Sequence, residues 1–175
     1  MANTWTLYNA GISFSAGKTM AGILNAHASR VIRIRRVGLL NTQTSSVTGQ
    51  ICRIDVRRMT ATASWTPTSV SAMAHDTNNS ALSSVSTGNS GTPSTTGSTH
   101  TFRRVIWSSD EPSLSSATAD EWECLVPLNI IFDAGYGDDN VQALALRQDE
   151  FFGVNANSGT AGLLDSWIEF TDEAT

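Results

Sequence analysis

Apolar and polar residues alternate along two segments in the first half of the chain. Segments 30–40 (RVIRIRRVGLL) and 50–59 (QICRIDVRRM) carry apolar residues at alternate positions over much of their length, and arginine fills most positions between them. A period of two residues is typical of a β-strand with one buried face. Because a polar segment joins them, we predict an antiparallel hairpin with one wet face. That face would carry four arginines: Arg33, Arg35, Arg53 and Arg57.

Short strand-like segments continue to the end of the chain, separated by turn-forming residues, and no segment keeps a helical period. In the closing segment, residues 161–173, one parity is occupied by Leu164, Ser166, Ile168 and Phe170. Residues 83–100 are low-complexity Ser, Thr and Gly, which predicts a long exposed loop. The whole pattern predicts an all-β fold: an antiparallel β-sandwich, most simply a single jelly roll with long Ser/Thr/Gly loops.

Length and composition favour one compact domain. The chain has 175 residues, of which 15% are charged, and no apolar run approaches the roughly 20 residues of a membrane-spanning helix. We divide it into an N-terminal segment with short strands, residues 1–28, and the jelly-roll domain, residues 29–175. Cys52 and Cys124 could pair, but the N-terminal sequence does not resemble a secretory signal and nothing indicates an oxidising compartment, so we expect buried thiols.

Charge is distributed unevenly along the chain. Residues 1–100 hold eight Lys and Arg against two Asp and Glu, whereas residues 101–175 hold three against fourteen. This asymmetry predicts electrostatic contact between elements of the fold or between subunits.

Two stretches of the sequence resemble enzyme motifs, but neither has all the residues that its motif requires. The stretch AGKT (16–19) ends like a phosphate-binding loop, but the glycine required at position 12 is Ile12. The stretch GNSGTP (88–93) resembles the nucleophile region of chymotrypsin-like proteases, yet Asn89 and Thr92 replace the acid and the second glycine. The three histidines and two cysteines lack zinc-ligand spacing. We therefore expect neither enzymatic activity nor a cofactor.

The stretch DAGYGDDN (133–140) is a candidate ion site. Asp133, Asp138 and Asp139 with intervening glycines offer the oxygen ligands that calcium prefers, although the spacing is not that of a helix-loop-helix site. Gly and Asp are also the ordinary residues of a tight turn. An ion site and a plain turn both remain open.

The arginine face has three interpretations. It is a solvated face with cross-strand Arg–Asp pairs, a phosphate track for nucleic acid, or a contact with carboxylates of another protein. The chain is acidic overall and no aromatic residues interleave with these arginines, so we expect no nucleic-acid partner. The acidic second half of a neighbouring copy is one source of carboxylates.

Taken as a whole, the chain resembles small single-jelly-roll virion proteins of tailed bacteriophages. The resemblance lies in residues 30–59, 71–82, 101–113, 125–140 and 144–173, whose last part joins an acidic turn, a strand, a small-residue loop and a strand ending in an acidic tail. It implies a non-enzymatic capsid decoration, or cement, protein on the outer capsid surface of the virion, made in the host cytoplasm. The implied partners are the major capsid protein and further copies of the chain in a homotrimer, with no membrane contact.

The resemblance also implies that a short N-terminal segment contacts the capsid or a neighbouring subunit. Trp5 and Tyr8 are the candidate anchors, and the alternative is that both rings fill the domain's own core. If they are anchors, removal of residues 1–15 abolishes capsid attachment and leaves a folded domain.

Two other functions are compatible with the sequence. One is a glycan-binding jelly-roll module of a tail fibre or spike, which would show an exposed aromatic platform beside the turn at 133–140. The other is a minor head–tail structural protein, which would be present in far fewer copies per virion.

Overall fold

The computed structural model of the chain describes most of the sequence, as six ranges: residues 3–13, 16–42, 50–109, 129–135, 142–157 and 162–174. Within these ranges every regular element is a β-strand, and every strand pairing is antiparallel. The prediction of an all-β antiparallel fold is confirmed. None of the described segments forms a helix long and apolar enough to cross a membrane.

The described residues form fourteen strands, which follow one another along the chain as β1 (Asn3–Ser13), β2 (Thr19–Asn25), β3 (Arg30–Asn41), β4 (Gln50–Met59), β5 (Thr62–Ser64), β6 (Thr68–Ser69), β7 (Met73–Ala74), β8 (Val85–Asn89), β9 (Ser94–Thr95), β10 (Thr99–Ser109), β11 (Asn129–Asp133), β12 (Leu144–Leu146), β13 (Glu150–Ala156) and β14 (Leu163–Ala174).

Most of these strands belong to two six-stranded sheets. Sheet A has the order β11-β3-β14-β1-β7, with β12 also paired to β3. Sheet B has the order β10-β4-β13-β2-β8-β6, and β5 pairs with β9 in a small separate ladder. The chain crosses between the sheets in each of its first three connections, so β1 and β3 lie in sheet A while β2 and β4 lie in sheet B.

The predicted hairpin between residues 30–40 and 50–59 is therefore wrong. β3 pairs with β14, β11 and β12, whereas β4 pairs with β10 and β13. The alternation in each strand is real, but the two apolar sides bury themselves in the core from opposite sheets. A hairpin would have placed both on the same side of the core.

The inward faces of the two sheets share one hydrophobic core. Sheet A contributes fully buried side chains that include Leu7, Ile32, Ile34, Ile168 and Phe170, and sheet B contributes Ile23, Ile54, Val56, Phe152 and Val154. The predicted parities are confirmed, since Cys52 lies in the same core and Leu164 and Ser166 are also buried. Burial of these apolar faces is the main term that stabilises the sandwich-like arrangement.

A β-bulge keeps the buried face of β3 continuous where its sequence loses alternation. Opposite β14, Ile34 pairs with Phe170 and Arg36 pairs with Glu169, so Arg35 is the extra residue. The bulge reverses the parity, and residues Val37 and Leu39 are buried after it. Two consecutive arginines therefore fit a strand whose inward side stays apolar on both sides of them.

Part of segment 60–98 folds over the outward face of sheet B and forms a second, smaller core there, while β6 and β8 of the same segment join sheet B and β7 joins sheet A. Trp65 packs edge-on against Phe151, with ring centroids 4.9 Å apart, and Met59 completes the cluster. The Trp65 indole donates a hydrogen bond to the carbonyl of Ser90 at 3.1 Å. Small residues in segment 60–98 allow different parts of its backbone to pass very close to one another.

The predicted exposed loop at 83–100 is wrong over part of its length. Residues 85–89 form β8 inside sheet B, where Thr87, Gly88 and Asn89 are buried. A Cβ atom on Gly88 would lie 2.2 Å from the Thr68 carbonyl oxygen, so only glycine lets β6 approach this strand. Low-complexity composition here reflects close backbone packing rather than exposure.

The N-terminal residues are interior strands of the sheets. β1 lies between β14 and β7, and β2 lies between β13 and β8. Trp5 is 6% exposed and belongs to the shared core, so of the two alternatives for this ring the core position holds. Removing residues 1–15 would delete an interior strand, and the expectation that such a truncation leaves a folded domain is not compatible with this pairing.

We expect Leu7→Ala to lower the free energy of unfolding by about 2–5 kcal/mol, because Leu7 is fully buried opposite Ile168. Thr4→Ala on the outward side of the same strand is the control and should cost less than about 1 kcal/mol. Urea denaturation measures both. Equal, small effects would show that β1 is not part of the cooperative core.

Candidate functional site

The four arginines predicted to share one face lie on two different surfaces. Arg33 and Arg35 are on the outward side of β3 in sheet A, and Arg53 and Arg57 are on the outward side of β4 in sheet B. The shared core separates the two pairs. The single arginine face expected from the sequence is therefore corrected to two separate surfaces, and the separation follows from the crossing of the chain between sheets.

The arginines of sheet A are paired with carboxylates of the same chain. β14 supplies three of the four acidic partners, which lie directly beside β3. The pairs are Arg30 with Asp172, Arg33 Nε with Glu173 Oε2 at 2.7 Å, Arg35 Nη1 with Glu169 Oε1 at 3.1 Å, and Arg36 Nε with Asp133 Oδ2 at 3.2 Å. The uneven charge along the chain thus produces contacts between elements, as predicted.

On sheet B three arginines surround one carboxylate. Arg104 on β10 holds the buried Asp55 in a two-pronged pair, from Nε to Oδ1 at 2.6 Å and from Nη2 to Oδ2 at 2.9 Å. This hydrogen bonding lowers the pKa of Asp55, assisted by the positive charge of Arg53 and opposed by burial. Arg57 Nε donates to Asn155 Oδ1 at 2.7 Å. Asp55 is consequently ionised at neutral pH and fixes the Arg104 guanidinium.

An exposed apolar side chain adjoins this arginine surface. Ile106 on β10 lies directly opposite Arg53 on β4 and is 68% exposed. Large exposed apolar residues beside arginines are a composition found at protein–protein contacts. We call the group of Arg53, Asp55, Arg57, Arg104 and Ile106 the sheet B arginine surface.

Tyr8 is engaged inside the domain. Its hydroxyl donates a hydrogen bond to Asp165 Oδ2, and Asp165 Oδ1 accepts from the Gly11 backbone N–H at 2.6 Å and from Thr42 Oγ1 at 3.1 Å. The hydrogen bond, burial and the charge of Asp165 together raise the pKa of Tyr8 to about 12. Through these hydrogen bonds Asp165 holds the irregular stretch of β1 between Asn9 and Ile12, and Tyr8 contacts the same carboxylate.

The candidate ion ligands are only partly within the described residues. Asp133 ends β11, where its Oδ1 accepts the Gly135 backbone N–H at 2.9 Å in a turn and its Oδ2 faces Arg36. Asp138 and Asp139 lie outside the described residues, as does Cys124. In the described part of the chain, no three His, Cys, Asp or Glu side chains come together as metal ligands.

A cleft opens between the two sheets where β10 and β4 face β11 and β12. It encloses about 720 Å³, and its lining includes Arg58, His100, Phe102, Phe132, Asp133 and Glu150. Three phenylalanine rings lead from the cleft into the core. Phe102 and Phe132 lie 6.0 Å apart between centroids, and Phe132 and Phe152 are separated by the same distance. This cleft has both apolar and charged walls.

We did not single out Arg58 from the sequence, although this residue occupies a position of β4 that faces the core. Cys52, Ile54 and Val56 point into the core, and two residues further along the same side of β4 the sequence has Arg58. In the sheet it lies between Phe152 on β13 and His100 on β10. Its Nε is buried and has no hydrogen-bond acceptor in the structure. A charged residue at a core-parity position was the available signal for this cleft.

Comparisons of the chain with protein-family models, with curated protein sequences and with solved structures return no match.

We expect the titration of Tyr8 to appear in the alkaline stability of the protein. Its folded pKa, about 12, exceeds the unfolded value of about 10, so its stabilising contribution is complete below pH 10 and is lost as pH rises towards 12. Tyr8→Phe should lower stability at neutral pH and remove this part of the alkaline loss. Tyrosinate absorbance and urea denaturation across this pH range measure both effects. Identical alkaline curves for the variant and the parent would contradict the assignment.

Proposed function

We propose that the chain is a non-enzymatic structural protein of a tailed-phage virion, and specifically a capsid decoration protein. In this proposal it folds as a single jelly roll, binds the major capsid protein on the outer capsid surface and stabilises the head. Its copies associate as a homotrimer.

The strand order is the observation that carries this proposal. The long strands form nested antiparallel pairs: β1 with β14, β2 with β13, β3 with β11 and β12, and β4 with β10. The first and third of these pairs make sheet A, and the second and fourth make sheet B. Nested pairs divided alternately between two sheets are the order expected for one long hairpin rolled into a jelly roll. This order supports the fold that the sequence resemblance implies.

The sheet B arginine surface is the contact we assign to this function. The sheet A arginines face carboxylates of their own chain, which leaves less capacity for a partner. On sheet B, Arg104 is half-exposed although paired, and Ile106 extends into solvent beside Arg53. A partner carrying carboxylates around an apolar pocket would complement this surface. The major capsid protein or the acidic half of a neighbouring copy would supply that chemistry.

The proposal is tested by the mass of the free protein and the number of copies that capsids take up. We expect size exclusion with light scattering to give a trimer, and capsids lacking the protein to bind hundreds of copies at saturation. Uptake of about a dozen copies or fewer would indicate instead a minor head–tail protein. A monomer that does not bind capsids would overturn the proposal.

We expect Ile106→Ser to weaken attachment to capsids or to a neighbouring subunit, because it removes the exposed apolar side chain of the sheet B arginine surface. Met73→Ser is the matched control, since Met73 is 58% exposed on β7 of the other sheet. Both variants should keep the parent unfolding midpoint. Sedimentation of capsid mixtures measures attachment, and equal binding by the two variants would remove Ile106 from the contact.

A glycan-binding module is the second candidate, and one observation favours it. Phe102 is 44% exposed and lines the cleft together with Asp133, the first residue of the Gly/Asp turn. An exposed ring beside Asp133 is the kind of feature that such a module would present. Binding to a glycan array in the absence of capsid attachment would support this candidate over a decoration protein.

A further inference from the structure

We infer that the cleft between the sheets binds a uronic acid unit of an acidic saccharide. In this assignment the Arg58 guanidinium takes the sugar carboxylate and the Phe102 ring packs against the sugar ring. The inference rests on the glycan-binding candidate and not on capsid attachment.

Arg58 supplies the first argument. Its side chain lies on the core side of sheet B between Phe152 and His100, and its buried Nε has no hydrogen-bond acceptor. A guanidinium N–H that is removed from water without an acceptor destabilises the fold, and such groups are normally paired in native proteins. A planar carboxylate satisfies a guanidinium with two parallel hydrogen bonds. Because Arg58 also lines the cleft, its guanidinium is the cationic group that a carboxylate entering the cleft from this side would meet.

The remaining walls match the body of a sugar. Phe102 is 44% exposed, with its ring centroid 6.0 Å from that of Phe132, and aromatic rings pack against the C–H side of a pyranose. Glu150 accepts the Arg147 backbone N–H at 2.8 Å. Asp133 accepts the Gly135 backbone N–H at 2.9 Å through Oδ1 and faces Arg36 Nε at 3.2 Å through Oδ2. Those bonds orient the carboxylates and leave acceptor positions for sugar hydroxyls.

The volume of the cleft and the charges in its lining limit the class of ligand further. A volume of about 720 Å³ lies in the range of sites for small ligands and accommodates one or two sugar units. Two carboxylates stand in the lining alongside Arg58 and Arg147, so the cleft suits a single negative charge better than a phosphate or a polyanion cluster. A sugar bearing one carboxylate meets both requirements.

The test compares methyl glucuronide with methyl glucoside, which differ in the carboxylate. We expect glucuronide to shift the Phe102, Phe132 and His100 side-chain NMR signals in a saturable way, and glucoside to bind much more weakly. Arg58→Met should reduce glucuronide affinity roughly 10- to 100-fold, the usual effect of losing hydrogen bonds to a charged group. Arg103→Met is the matched control, since Arg103 is an exposed arginine on β10 outside the lining, and it should bind as the parent does.

The stability of Arg58→Met separates a binding role from a structural one. Replacing a charged group whose buried N–H lacks an acceptor with an apolar side chain leaves stability unchanged or raises it. We therefore expect an unfolding midpoint at or above that of the parent together with weaker binding. Arg58→Lys provides a second folded variant that keeps the charge but lacks the planar fork, and it should also bind glucuronide more weakly.

Three results would overturn the inference. If glucoside binds as well as glucuronide, the uronic acid assignment fails and the glycan-binding candidate stands. If neither sugar binds, and the glycan array is also negative, both fail. If Arg58→Met and Arg58→Lys bind glucuronide as the parent does, Arg58 is not the carboxylate partner.

Discussion

The fold depends on the last strand lying between the first and the third. β14 pairs with β1 from Asn3 to Ser13 and with β3 from Arg30 to Asn41, so it fills the centre of sheet A. These contacts join strands that lie near opposite ends of the sequence. β1 and β3 do not pair with each other. Sheet A is therefore complete only when β14, the last strand, is in place between them.

The same placement decides which arginines are available to a partner. β14 carries Glu169, Asp172 and Glu173, and its register sets them beside the arginines of β3. The basic strand and the acidic strand then neutralise each other within sheet A. Sheet B has no equivalent strand among the described residues; there Arg104 pairs with Asp55, and Arg57 donates a hydrogen bond to Asn155. A chain that is acidic overall in this way presents an arginine-rich surface on one side.

The sequence predicted which residues are buried far better than which strands are neighbours. Alternation correctly predicted the buried residues of three strands, because burial on one side of a strand is a local property. These residues are Ile32 and Ile34 in β3, Cys52, Ile54 and Val56 in β4, and Leu164, Ser166, Ile168 and Phe170 in β14. The hairpin was wrong because alternation is the same whether the next strand joins the same sheet or crosses to the other one. Strand neighbours are fixed by packing between distant segments, which a local pattern does not encode.

The missed features have equally specific causes. Residues 85–89 have the composition of a loop, yet Gly88 permits a close approach that makes them a strand. Arg58 interrupts a run of apolar residues at core parity, and that run ends where the sheets separate to form the cleft. Trp5 suits either an anchor or a core position by composition, and only the placement of β1 inside sheet A distinguishes them. In each case tertiary packing overrode a reasonable local interpretation.

In the function that we propose, that of a capsid decoration protein, the contact surface is on sheet B and not on sheet A. The most direct measurement is an electron cryomicroscopy reconstruction of capsids saturated with the protein, at a resolution that distinguishes the two sheets. We expect density from the capsid or a neighbouring subunit against Ile106 and Arg53, with the outward side of β3 facing solvent. Contact through Arg33 and Arg35 on sheet A, with Ile106 left in solvent, would contradict this assignment.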